Sequence, residues 1–157
     1  DLTIERLPEI PDFTLLVGWT GQVAITDSLI QATEKKRKVT TDSAFYKEFL
    51  KKSHAIVQGL QSAWKNQDIK ALQEGIRANR ALLNEFAKVM QLEIETPALQ
   101  TLCDLAEQVG ACAKTSGAGG GDCGICFTQN EQQRQQIENQ WAKAQIQVLP
   151  LTIAEAW

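Results

Sequence analysis

The 157-residue sequence contains no hydrophobic stretch long enough to cross a membrane. A membrane-spanning helix needs about 20 apolar residues in succession, and every apolar run in this chain is much shorter. The N-terminus also lacks the charged and then apolar pattern of a secretory signal peptide. These absences argue against a membrane protein and predict a cytoplasmic one.

An excess of positive charge is missing as well. Sixteen basic residues stand against nineteen acidic ones, which gives a formal net charge of -3. No overall field therefore attracts nucleic acid or an anionic membrane. The densest basic patch, Lys-Lys-Arg-Lys at 35–38, is short and has no aromatic residue beside it, so we interpret it as a solvated loop or helix end.

Histidine and cysteine, two of the residue types that bind metal ions, are few. The chain has one histidine, His54, and four cysteines, at positions 103, 112, 123 and 126. Cys123 and Cys126 form the only C-x-x-C pair, but they lie in a predicted strand, where positions three apart point to opposite faces. Without an export signal, a disulfide framework is not expected either. We predict no metal site and four free thiols that are buried or half-buried.

The chain begins with Asp1, and its only methionine is Met90. We therefore expect it to be a piece of a longer polypeptide. With 157 residues, 43% of them apolar, it is long enough for one domain with its own hydrophobic core. The predicted domain covers residues 1–157.

Sequence patterns predict strands on both sides of a helical centre. Apolar residues at helical spacing indicate two long helices that form an antiparallel hairpin. Thr96-Pro97 is typical of a helix start and Gly110 of a helix end, and Asn130 with Gln133 forms a capping box. The predicted fold is α+β with an antiparallel sheet. The predicted strands are 2–7, 12–18, 111–114, 123–127 and 146–149, and the predicted helices are 26–33, 45–64, 69–90, 97–109 and one after Asn130.

One segment, KTSGAGGGDCGICF at 114–127, has four glycines among the five positions 117–121. Each glycine loses much conformational freedom on folding, and a short hairpin turn needs only one or two. A run without Cβ atoms lets several backbone N–H groups point into one concavity, which suits phosphate or another oxyanion. The segment favours an oxyanion site, and a plain wide turn is the alternative.

Two familiar nucleotide motifs do not fit this segment. A P-loop requires a lysine directly after its last glycine, and none is present there. The pattern G-x-G-x-x-G matches at Gly119, Gly121 and Gly124, but it must open a helix. Residues 125–127 (Ile-Cys-Phe) continue instead as a predicted strand.

Segment 114–127 closely resembles the third conserved motif of the GHMP kinases, which is the glycine loop of their C-terminal domain. With Asp122 after the glycines, it is most similar to the bacterial branch that phosphorylates mevalonate 5-phosphate, since mevalonate kinases more often have a further glycine there. LLVGWTGQVAITDSLI at 15–30 and ENQWAKAQIQVL at 138–149 resemble the start and the end of the same domain. The resemblance covers nearly the whole chain.

The resemblance implies a ferredoxin-like C-terminal domain, with a four-stranded antiparallel sheet, helices and a long helical hairpin. It implies an ATP- and Mg²⁺-dependent kinase that converts mevalonate 5-phosphate to the 5-diphosphate in isoprenoid biosynthesis. The family's ATP-binding loop, Pro-x-x-x-Gly-Leu-Gly-Ser-Ser, and its N-terminal lysine and aspartate do not occur in this sequence. The catalytic groups, ATP and Mg²⁺ would therefore belong to an N-terminal partner domain, and this chain alone would be inactive.

The resemblance also implies which residues contact the acceptor. Lys114 would offset phosphate charge or form an ion pair with Asp122. Trp19 would line the pocket, although a place in the core is more typical of tryptophan. Residues 23–25 are Val-Ala-Ile in place of Pro-Ala-Ser, which weakens the carry-over of contacts at 22–25. The implied acceptor and phosphate contacts are Thr26, Ser116, Gly117, Ala118, Gly119, Gly120 and Gly121.

Two other functions stay open at this point. The chain could belong to another GHMP branch, such as a mevalonate or homoserine kinase. It could also be a separate ligand-binding domain that has this fold and no catalytic activity.

Overall fold

The computed structural model describes residues 7–23, 44–117 and 119–151. Its strands are β1 (Thr14–Trp19), β2 (Cys112–Thr115), β3 (Cys123–Thr128) and β4 (Gln147–Val148). They form one antiparallel sheet in the order β2-β3-β1-β4. Its helices are α1 (Ala44–Lys65), α2 (Ile69–Met90), α3 (Pro97–Gln108) and α4 (Glu131–Lys143).

Helices between β1 and β2 and between β3 and β4, together with this strand order, give the ferredoxin-like arrangement. The predicted α+β fold with a four-stranded antiparallel sheet and a helical hairpin is therefore confirmed. None of the helices in the described ranges is long and apolar enough to cross a membrane. The predictions for 26–33 and 35–38 lie outside the described residues, as does the strand predicted at 2–7 except for Leu7.

Local signals determine where the helices begin. Asp68 accepts the N–H of Ala71 and caps α2. Thr96 caps α3 in front of Pro97, and Asn130 accepts the N–H of Gln133 at the start of α4. The helices predicted from Thr96-Pro97 and from Asn130 with Gln133 are confirmed. The strand predicted at 146–149 is shorter than expected. At its start, the N–H of Ile146 donates to the carbonyl of Trp141 at the end of α4, and beyond its end the proline at 150 has no N–H to extend the ladder.

One face of the sheet packs closely against α3 and α4. Gly18 and Gly124 lie opposite each other on β1 and β3. A Cβ atom on Gly18 would lie 2.7 Å from the ring of Trp141, and one on Gly124 would lie 2.6 Å from Leu102. The core on this face consists of Leu16, Leu102, Cys103, Ala106, Ala111, Ala113, Cys126, Ile137, Trp141 and Ile146.

The helical hairpin covers the other face at the end of the sheet where β1 begins. Phe13 stacks on Phe127 with ring centroids 4.9 Å apart, and Trp64 packs edge-on against both rings. Ile69, at the start of α2, packs against this cluster. The segment after α2 reaches the opposite end of the sheet, where Ile94 contacts the glycine-rich connection between β2 and β3.

Candidate functional site

The glycine loop, residues 116–122, connects β2 to β3. The N–H of Ser116 donates to the carbonyl of Cys123 at 2.9 Å and closes the loop. The φ angles of Gly119, Gly120, Gly121 and Asp122 are 77°, 79°, 139° and 53°. Four successive positive values favour glycine, and aspartate tolerates the last of them. The backbone path therefore explains why this turn needs so many glycines.

Two neighbouring segments hold the loop through alternate backbone N–H groups. Gly120 donates to the carbonyl of Ile94 at 2.8 Å, and Asp122 donates to the carbonyl of Gln22 at 2.6 Å. The carbonyl of Asp122 accepts the backbone N–H of Thr20 at 2.8 Å and the Thr20 hydroxyl at 3.0 Å. The loop is thus fixed from both sides.

Three other N–H groups of the loop have no protein partner in the part of the chain that the structure describes. No acceptor there takes the N–H of Gly117, Gly119 or Gly121. Gly119 and Gly121 are nevertheless buried. Buried backbone N–H groups are almost always hydrogen-bonded in native proteins. N–H groups in such a loop are suited to bind an oxyanion, such as a phosphate oxygen.

Gly119 is the most closely packed position of the loop. A Cβ atom there would overlap the carbonyl oxygen of Ile94 and lie 2.6 Å from its Cγ2. A Cβ atom on Gly117 would meet nothing within 4 Å, although its φ is 67°. At position 119 any other residue would have both an unfavourable φ angle and a steric overlap with Ile94. At position 117 only the φ angle favours glycine.

Lys114 lies on β2, two residues before the loop. Its Nζ donates to the carbonyl of Thr115 at 2.7 Å, and an ammonium has three donors. Burial lowers the pKa of Lys114, because an apolar environment disfavours the charged form. Among the described residues no carboxylate forms an ion pair with it, so the alternative pair with Asp122 is not observed.

Trp19 ends β1 directly opposite Cys123, beside the end of the glycine loop. Its side chain is on the face away from α3 and α4, and the residue is 36% exposed. The interpretation of Trp19 as a core residue is therefore wrong, because the strand ends where that face is open. Thr26 and Ala118 lie outside the described residues, and their predicted roles stay predictions.

Sequence reasoning missed Ile94, Thr20 and Gln22, which hold the loop. Ile94 and Gln22 act through backbone carbonyls, which every residue has, so their side chains carry no signal. Thr20 is part of the Val-Gly-Trp-Thr motif that carries the resemblance, and its hydroxyl could have been proposed as a contact. These contacts join residues 20–22, Ile94 and the glycine loop, which are far apart in the sequence and meet only in the folded protein.

Cys123 is the only partly exposed thiol of the four; the other three are buried. This confirms the predicted burial. Burial and, second, the charge of Asp122 raise the pKa of Cys123. Burial also raises the pKa of Cys103 to about 12 and of Cys112 to about 11.

We expect iodoacetamide to alkylate Cys123 alone in the folded protein, slowly at neutral pH and faster as the pH rises, because the thiolate is the nucleophile. Asp122→Asn should lower the pKa of the thiol and speed alkylation severalfold. Mass spectrometry of the intact protein and its peptides measures both rates. The prediction would be contradicted if the rate of Cys123 alkylation did not change as the pH rises from neutral.

Known proteins share this architecture. The family described as GHMP kinases C terminal matches residues 56–147. The phosphomevalonate kinase of Streptomyces sp. (strain CL190) is 38% identical over 154 residues, which are 97% of this chain and 41% of that protein. The crystal structure of the Lin0012 protein from Listeria innocua matches with a TM-score of 0.88 and 35% identity, over 94% of this chain and 41% of that one.

A further solved structure carries ligands. The Streptococcus pneumoniae phosphomevalonate kinase in complex with phosphomevalonate and AMPPNP matches with a TM-score of 0.74 and 30% identity. The match covers 86% of this chain and 37% of that one. The chain therefore spans about two fifths of the length of these relatives.

Proposed function

This chain belongs to the GHMP kinases, as their C-terminal domain, and we propose that it is the acceptor-binding part of a phosphomevalonate kinase. The whole enzyme would transfer the γ-phosphoryl group of ATP to mevalonate 5-phosphate and form the 5-diphosphate. The relatives named phosphomevalonate kinase, one of them bound to phosphomevalonate and AMPPNP, support this choice of acceptor and donor.

The observation that carries the proposal is that Gly119 and Gly121 are buried residues whose N–H groups have no acceptor in the described ranges. Phosphoryl transfer depends on positioning and on neutralising charge, with little covalent help from the protein. Fixed N–H donors around the acceptor phosphate provide both. We assign the N–H contacts to Gly117, Gly119 and Gly121, whereas Ser116, Ala118 and Gly120 would line the same site. Thr26 would be a second contact, with Trp19 and Asp122 in support.

We assign ATP and Mg²⁺ to an N-terminal GHMP domain that would complete the site. When bound there, Mg²⁺ would neutralise phosphate charge. Within the described ranges no cluster of three or more metal-ligating side chains is found. The isolated chain is expected to show no transfer activity. The cytoplasmic location predicted from the sequence stays a prediction.

The test uses the full-length protein that contains this chain, incubated with ATP, Mg²⁺ and one acceptor at a time. We expect ADP and mevalonate 5-diphosphate to form from mevalonate 5-phosphate, and much lower rates with mevalonate or homoserine. A preference for either of these two would assign the chain to another GHMP branch. No transfer to any acceptor would favour the separate ligand-binding domain.

Lys114→Met tests two effects of this lysine: it would bind the acceptor phosphate, and its buried charge would destabilise the folded protein. A charged hydrogen bond contributes about 1.5–3 kcal/mol, so losing one should raise the KM for mevalonate 5-phosphate about 10- to 100-fold. The same variant should have a higher free energy of unfolding near neutral pH. The lowered pKa of Lys114 means that its charged form is less stable in the folded protein than in the unfolded one, and methionine carries no charge. Steady-state kinetics and urea denaturation measure the two effects.

The pH dependence of Lys114 has a definite sign. Because its pKa in the folded protein is below its unfolded value, the unfolded state binds more protons between the two values. The lysine's contribution to stability therefore rises with pH through that interval, and the Met variant should lack this rise. An unchanged acceptor KM in the variant would contradict a role for Lys114 in the site.

A further inference from the structure

We propose that Arg80 and Glu95 are positioning residues that fix the glycine loop from outside the acceptor site. They would do so through the α2–α3 segment, residues 91–96, whose Ile94 contacts the loop. The proposal rests on the proposed function only for its effect on catalysis. Its structural part, the effect on the loop itself, can be tested separately.

The ion pair between Arg80 and Glu95 joins α2 to the α2–α3 segment. Nε of Arg80 donates to Oε2 of Glu95 at 2.9 Å, and Nη2 donates to Oε1 at 2.5 Å. The same Nη2 donates to Asp104 on α3 at 2.8 Å, and Asn84 donates to Glu95 at 3.0 Å. The Glu95 side chain is only 7% exposed and that of Arg80 17%. A bidentate pair of this kind fixes geometry as well as charge.

The peptide unit between Ile94 and Glu95 transmits this geometry to the glycine loop. The carbonyl of Ile94 shares one rigid plane with the N–H of Glu95. On the far side of Glu95, Thr96 caps α3 and is buried. The Ile94 carbonyl therefore has little freedom to rotate, and it accepts the N–H of Gly120 at 2.8 Å.

The contact with Ile94 orients the unpaired N–H groups. Gly120 lies between Gly119 and Gly121, whose N–H groups are the proposed phosphate donors. If the Ile94 carbonyl rotates, Gly120 loses its acceptor, and the two neighbouring peptide planes are free to turn. Donors bind an anion well only when they are oriented beforehand. Loss of the ion pair should therefore affect the loop before it affects the fold.

Arg77 provides a matched control on the same helix. It donates to Glu107 on α3 at 2.7 Å and to the carbonyl of Ala111 at 3.0 Å. Like Arg80, it links α2 to α3, but neither of its two partners lies in the α2–α3 segment. Arg77→Met therefore removes an ion pair between α2 and α3 without touching the contact between Ile94 and the loop. This pair is more exposed than that of Arg80 and Glu95, with side chains 38% and 29% exposed.

The first experiment measures hydrogen–deuterium exchange in the full-length protein, by mass spectrometry of peptides that cover the glycine loop. We expect the amide of Gly120 to exchange about tenfold faster or more in Arg80→Met and Glu95→Gln than in Arg77→Met. Amides of β3 serve as the reference, because they report global opening of the fold. Arg80→Lys, which retains one charged contact, should give an intermediate rate. Equal rates in the Arg77→Met and Arg80→Met proteins would overturn the proposal.

A milder variant covers the case in which Arg80→Met does not fold. Asn84→Ala removes only the third contact to Glu95 and should give the same change at smaller amplitude. Unchanged exchange at Gly120 in both Asn84→Ala and Arg80→Lys would overturn the proposal as well.

The second experiment measures the two KM values of the same variants. We expect the KM for mevalonate 5-phosphate to rise about tenfold in Arg80→Met, with a much smaller change in the KM for ATP and wild-type values in Arg77→Met. A purely structural role would change both KM values together. Faster exchange at Gly120 with an unchanged acceptor KM would support the positioning of the loop and reject the loop as the acceptor site.

Discussion

Gly119→Ala is expected to lower kcat/KM for mevalonate 5-phosphate by about 100- to 1,000-fold in the full-length enzyme, the loss typical for an oriented anion donor. The new Cβ would overlap the carbonyl oxygen of Ile94. The loop can avoid that overlap only by moving away from Ile94, which breaks the hydrogen bond of Gly120. The φ of 77° adds a cost of about 1–2 kcal/mol for alanine.

Two other glycines separate the steric effect from the backbone effect. Gly21 and Gly117 have φ values of 76° and 67°, and a Cβ on either would meet nothing within 4 Å. Both variants strain the backbone without a steric overlap, so Gly21→Ala, between the anchors Thr20 and Gln22, and Gly117→Ala should each lose less activity than Gly119→Ala. Steady-state kinetics at varied acceptor concentration measure all three variants. A Gly119→Ala enzyme with wild-type kinetics would show that the loop is not part of the site.

Most of the fold could be predicted because its signals are local. The capping residues Thr96 and Asn130 stand at helix starts in the structure as they do in the sequence. The two long helices predicted from apolar spacing are likewise present, as α1 and α2. The order of the strands was not predictable from these signals, because it depends on which segments meet after the chain folds. It entered only through the resemblance.

The site could be predicted only in part. The glycine run indicated an oxyanion site, but glycine has no side chain to show what each position contacts. Gly119 packs against Ile94, whereas Gly124 packs against Leu102 and belongs to the core. The G-x-G-x-x-G match at Gly119, Gly121 and Gly124 therefore joins glycines with different roles. Only the positions of neighbouring segments distinguish them.

Trp141→Ala is expected to lower the free energy of unfolding by about 3–5 kcal/mol. Its side chain is fully buried, and its Nε1 donates to the carbonyl of Leu102 at 3.0 Å. A domain of this size has a total stability of about 5–15 kcal/mol, so the loss is a large part of it. Urea denaturation followed by circular dichroism measures the change. A loss below about 1 kcal/mol would contradict the packing described for α4.

Gly18→Ala should interact with this substitution rather than add to it. Alone, its methyl group would lie 2.7 Å from Cζ3 of Trp141 and 2.9 Å from Leu102, and overpacking of this kind costs about 1–3 kcal/mol. In the Trp141→Ala background the ring is gone and the methyl group enters the space that it leaves. The double variant should therefore be more stable than the sum of the single effects predicts, by about 1 kcal/mol or more. Gly59→Ala, on α1 with nothing within 4 Å, should show no such coupling. If the losses of stability for Gly18→Ala and Trp141→Ala are additive, then β1 and α4 do not pack closely enough for a Cβ at position 18 to meet the ring of Trp141.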